Sequence, residues 1–87
     1  MRARRVDQNH AQIVAALRKI GCEVEDLSRV GRGVPDLAVK LRFRLVFMEV
    51  KRHGGKLNAL QSAWHARWAP HVVVVESPEQ AIEAMTL

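Results

Sequence analysis

Two apolar runs separated by only two residues constrain this chain more than any other feature of its sequence. Residues 36–41 and 44–52 are of strand length and rich in valine, leucine and other aliphatic side chains, and only Arg42-Phe43 lies between them. A connection that short makes an antiparallel hairpin. Centring the turn on Arg42-Phe43 sets Leu41 opposite Arg44, Lys40 opposite Leu45, Ala38 opposite Phe47 and Asp36 opposite Glu49. Because side chains alternate, one face collects Leu37, Val39, Leu41, Val46, Met48 and Val50, with Arg44 intruding at the turn. That face is core. The other gathers Asp36 and Glu49 as a pair, with Lys51 one step beyond. A slip by one residue would mix the carboxylates with the apolar set, so the pattern itself selects the register. Arg42-Phe43 is poor chemistry for a two-residue primed turn, and a wider loop with the same centre would serve.

The remaining elements follow from periodicity and punctuation. Ile13, Ala16, Leu17 and Ile20 recur at helical spacing over 7–20, and Gly21 supplies a stop. Residues 22–28 alternate apolar Cys22, Val24 and Leu27 imperfectly with acidic Glu23, Glu25 and Asp26, and read as an exposed or edge strand. Gly31-Arg32-Gly33 reads as a turn, Pro35 opens the second strand, and the third is covered on most of both faces. After Gly54-Gly55, Asn58 is the cap of a helix carrying Leu60, Trp64 and Trp68, which reads as a core stripe. Pro70 follows it. Residues 71–76 read as a short buried strand, and Ser77-Pro78-Glu79-Gln80 opens a last helix with a cap, a first-turn proline and a capping-box partner. The expected fold is a single α/β domain over 1–87, a mixed central sheet flanked by helices in the order αβββαβα, with 1–6 a flexible basic tail.

Composition narrows the partners. Fourteen Lys and Arg against nine Asp and Glu give a net charge of +5, which favours polyanions. Apolar runs such as Val72 to Val75 are too short to span a bilayer, and the basic start lacks a signal-peptide hydrophobic region; a soluble, cytoplasmic protein with no membrane partner is expected. Cys22 is the only cysteine, so it makes no internal disulfide, and its apolar neighbours mark it as a core thiol. His10, His53, His65 and His71 lack zinc-site spacing with it and receive no metal role.

Two opposed carboxylates repel unless they share a proton, meet a cation or stay wet. Mg²⁺ or Mn²⁺, which prefer oxygen donors and keep waters, fits Asp36, Glu49 and the Val50 backbone carbonyl. Phosphodiester hydrolysis needs an activated water and compensation of charge on the phosphate, and Lys51 suits either task, as base or as electrostatic stabiliser.

Pro35-Asp36 followed by Glu49-Val50-Lys51 after a hairpin resembles the PD-(D/E)xK nuclease motif and its restriction-endonuclease-like core. More narrowly, Gly33-Val34-Pro35-Asp36-Leu37, Met48-Glu49-Val50-Lys51 and Leu57-Asn58-Ala59-Leu60-Gln61 resemble the VRR-NUC group, over nearly the whole chain. The resemblance implies Asp36 and Glu49 as metal ligands, Lys51 as the catalytic lysine and Gln61 as a helper. Gln61 also has capping-box spacing from Asn58, and both roles can hold. Relatives usually add a glutamate from the first helix. Here that stretch offers Asp7, Gln8 and Gln12, of which Asp7, also a candidate N-cap, is the nearest substitute.

Arg29, Arg32, Arg52, His53 and Lys56 flank the motifs and would form a nucleic-acid-binding rim. Trp64 and Trp68 read as core rather than as base-stacking platforms. The expectation is a Mg²⁺- or Mn²⁺-dependent DNA endonuclease selective for branched DNA such as Holliday junctions. By analogy with its relatives it would act as a homodimer, and its size suits a phage or mobile-element gene for repair or recombination. A non-catalytic nucleic-acid-binding module with the same fold and an RNA-directed nuclease are the alternatives.

Overall fold

A computed structural model describes residues 8–87. The basic start and Asp7 lie outside the described residues. The elements are α1 (Gln8–Lys19), β1 (Glu23–Asp26), β2 (Leu37–Leu41), β3 (Arg44–Val50), α2 (Ala59–Trp68), β4 (Val72–Val75) and α3 (Pro78–Thr86). They build one α/β domain around a four-stranded sheet ordered β1-β2-β3-β4, with β3 and β4 parallel and the other pairs antiparallel.

The hairpin has the register its alternation demands. Leu41 pairs with Arg44, Lys40 with Leu45, Ala38 with Phe47 and Leu37 with Met48. The turn closes in two residues because Arg42 takes a φ of 56°, an uncommon conformation for arginine. Leu37, Val39, Val46, Met48 and Val50 form the core face with Val75, and Ile13 and Leu17 of α1 and Ala81 and Met85 of α3 close over it. Each such aliphatic side chain contributes about 1.5–3 kcal/mol by leaving water. Cys22 packs into the same cluster, and burial pushes its thiol pKa up.

The other face is covered mainly by α2, through Trp64 against Phe47. Here the sequence expectation needs correction. Leu60 and Trp68 are exposed, and of the expected stripe only Trp64 is buried. Residues four apart drift by about 40° per step around a helix, so a short helix over a flat sheet buries the middle one and lets its neighbours roll outward. Strand β4 is likewise an edge strand with Val74 exposed rather than a buried one, because α2 covers only part of its outer face. Strand β1 is an edge strand, shortened to four residues.

Both later helices start as their sequences indicate. Asn58 Oδ1 accepts from Gln61 N, and the Gln61 side chain returns to Asn58 N. Ser77 Oγ accepts from Gln80 N, but the Gln80 carboxamide reaches past the cap to Glu76 N at 2.7 Å. No helix among the described residues is long and apolar enough to cross a membrane.

Candidate active site

The carboxyl end of β3 carries the site. Asp36 stands just before β2, behind the buried Pro35, and its backbone carbonyl accepts from Leu27 N at 2.7 Å. Its Oδ2 accepts from Val50 N at 2.8 Å, which ties the carboxylate to the end of β3. The N–H and C=O of one strand residue point to the same side, so the Val50 carbonyl is directed toward the Asp36 side.

Glu49 is 3% exposed, and it is the one buried charged residue among those described. Its Oε2 accepts from Gln61 Nε2 at 3.2 Å and lies 3.8 Å from Lys51 Nζ, an ion-pair distance rather than a hydrogen bond. Its Oε1 is buried without a partner. Desolvation, then the negative charge of the neighbouring Asp36, push the Glu49 pKa up to about 8, against a smaller opposing pull from Lys51. A buried glutamate with an orphaned oxygen beside a half-buried aspartate fits a hard divalent cation, the group that would pair both charges and use the unpartnered oxygen. Among the described residues no three His, Cys, Asp or Glu side chains converge, so the donor set is two carboxylates and a backbone carbonyl.

Gln61 does two things. Its Oε1 accepts from Asn58 N at 2.9 Å and from Lys51 Nζ at 3.1 Å, while its Nε2 donates to Glu49. One carboxamide therefore starts the helix and orients both a lysine and a carboxylate. The approach that permits this depends on Gly33. A Cβ there would lie 2.4 Å from the Leu60 carbonyl oxygen, and Gly33 has a φ of 84°. The Gly31-Arg32-Gly33 segment is thus a turn pressed against the first turn of α2.

Two residues of the surroundings went unrecognised from sequence. Asn9 Nδ2 donates to the Lys51 carbonyl at 3.0 Å and to the Glu76 carbonyl at 3.2 Å, fastening α1 to the ends of β3 and β4, and its Oδ1 is buried without a partner. An asparagine near a helix start reads as a cap, and no local signal reveals a partner 67 residues away. His65, one turn beyond Gln61, has a buried Nε2 without a partner, and burial followed by the Lys51 charge lowers its pKa.

The basic candidates are arranged less tightly. Arg29, Arg32, Arg52, His53 and Lys56 are all exposed, on the two loops that flank the site. His53 Nδ1 sits 3.3 Å from Glu76 Oε1, and Gly55 folds back against the Lys51 stem. None of the five makes a hydrogen bond or ion pair to Asp36, Glu49 or Lys51.

No family model matches the chain, and no curated protein does. A solved structure described as a VRR-NUC domain superposes with a TM-score of 0.68 at 30% sequence identity, covering 88% of this chain and 94% of that one. The chain belongs to the VRR-NUC family and has its nuclease-type fold.

Proposed function

We propose that this domain is a divalent-metal-dependent endonuclease that hydrolyses DNA phosphodiester bonds, selects branched substrates such as four-way junctions, and acts as a homodimer. The observation that carries the reading is Glu49, buried beside Asp36 with one oxygen unpartnered and a lysine held 3.8 Å away. Asp36, Glu49 and the Val50 carbonyl would hold Mg²⁺ or Mn²⁺, with Asp7 a further candidate. Bound there, the ion supplies a Lewis acid that acidifies water and offsets phosphate charge.

The chain's own residues do the rest. Gln61 accepts a hydrogen bond from Lys51 Nζ and so fixes an ammonium beside the carboxylates. We assign Lys51 the electrostatic role, offsetting charge that builds on the phosphate as the bond breaks. The exposed Arg29, Arg32, Arg52, His53 and Lys56 would grip phosphates on either side of the cut. A role in repair or recombination in a bacterial or phage-infected cytoplasm fits this reading.

The test is a panel of flaps, forks, four-way junctions, linear duplexes and matched RNAs, incubated with Mg²⁺, Mn²⁺ or EDTA. Metal-dependent cutting of branched DNA that disappears in Glu49→Gln is the expected result. Binding without any cut product would overturn the enzyme and leave a nucleic-acid-binding module. Cutting confined to RNA would overturn the substrate. The dimer is checked by light scattering, which should give twice the 9.8 kDa chain mass.

A further inference from the structure

At the opposite end of β3 from Glu49, an aromatic surface stands open. Phe43 is fully exposed at the hairpin tip, Leu45 is 52% exposed and Trp68 is 43% exposed. Trp68 stacks on Trp64 at 4.7 Å with an interplanar angle of 7°, and Phe47 meets both edge-on, so the indole is held rigid with part of its surface free. Phe43, Arg44, Leu45, Phe47, Trp68 and His71 line a shallow cleft of about 490 Å³. A side chain as exposed as Phe43 adds nothing to the fold, and a patch of this kind gains its energy from another molecule.

The charges around it indicate which molecule. The cleft is built from two stretches, Leu37 to Met48 and Ser62 to Val75, that contain no acidic residue but carry Lys40, Arg42, Arg44 and Arg67. The acids of this sheet face stand away from the patch: Glu23 and Glu25 on β1, with β2 between, and Asp36 and Glu49 at the far end of the hairpin. A second copy docked here about a two-fold axis would bring the basic rim at Arg42 toward its own counterpart, a like-charge arrangement that opposes association. A polyanion with flat apolar faces has the complementary character. We propose that Phe43 and Trp68 form a stacking platform for unpaired nucleobases of the substrate, with Arg42 and Arg67 pairing the adjoining phosphates.

The placement gives this a geometric consequence. Phe43 lies six residues before Glu49, about 20 Å along an extended strand, which is the length of about six stacked nucleotides. With the scissile phosphate at Glu49, unpaired bases at the tip put the branch point about six nucleotides from the cut. The platform would thus supply the selectivity for branched DNA, and it rests on the nuclease reading only for that link to cleavage.

Binding measured in EDTA separates the two. Anisotropy titrations compare a blunt duplex with a fork made of the same duplex plus single-stranded thymidine arms. Phe43→Ala should weaken fork binding about 5- to 100-fold and leave the duplex unchanged, while Phe43→Tyr keeps wild-type affinity. Thymidine oligonucleotides should quench tryptophan emission in the wild type. Because Phe43 is fully exposed, its variants should unfold at the wild-type urea midpoint. Equal fork affinity in Phe43→Ala and wild type overturns the platform, as does an equal loss on fork and duplex. A dimer that becomes monomeric in Phe43→Ala with fork affinity intact assigns the patch to a second copy instead. Fork preference that depends on Phe43 in a protein that cuts nothing retains the platform and removes the nuclease.

Discussion

Burying Glu49 beside Asp36 ties the stability of the metal-free chain to pH. Its pKa is near 8 in the fold and 4.5 in the unfolded reference, so between those values the folded state holds a proton that the unfolded chain has released. The stability this contributes is complete below about pH 4.5 and is lost as pH rises toward 8. Urea unfolding in EDTA should therefore show a loss on the order of 5 kcal/mol across that window, flattened in Glu49→Gln. An increase in stability with pH over this range would refute the assignment. Calorimetric Mg²⁺ titrations should show affinity rising with pH up to about 8, since the ion must displace that proton. Lys51 is separable by kinetics: Lys51→Met should lower kcat about 10²- to 10³-fold, while Lys51→Arg keeps a positive charge and more of the rate.

At the scale of elements, the first turn of α2 is both a helix start and part of the site. Asn58→Ala removes a cap worth about 1 kcal/mol and should also weaken catalysis, since Gln61 then loses its register on Lys51 and Glu49. Gly33 and Gly31 make a paired test. Both have positive φ, but only Gly33 faces the Leu60 carbonyl, whereas Gly31 has nothing within 4 Å. Gly31→Ala should cost about 1–2 kcal/mol from backbone strain alone, and Gly33→Ala about 2–4 kcal/mol with a loss of activity. Equal costs in urea titrations would contradict the close approach.

For the whole molecule, the sequence was legible where one short period ruled. Alternation across a two-residue turn fixed the hairpin register, which set Asp36 by Glu49 and left the apolar face to α1 and α3. The caps at Asn58 and Ser77 could be read because their partners lie three residues away. Legibility failed where position depended on something distant. Leu60, Trp64 and Trp68 share a spacing, yet their burial is decided by how far α2 reaches over the sheet. Asn9 acts on carbonyls far along the chain, and Gly33 is needed for a neighbour that no local pattern reveals. The net charge of +5 belongs to this scale too: the DNA binding proposed above should weaken steeply with salt, measurable as a linear fall of log affinity with log salt concentration.

Every side chain proposed, within the described residues, to hold the ion or act on the scissile phosphate falls between Asp36 and Gln61, so a hairpin and one helical turn could assemble the reactive set on their own. Asn9 is what prevents that arrangement from being self-sufficient. By gripping the Lys51 and Glu76 carbonyls it makes the docking of α1 a condition for the strand ends to be held in place. A chain that has folded its middle but not yet seated its first helix would carry the right residues on a loose frame, and the cutting chemistry proposed for them would stay silent until folding was complete.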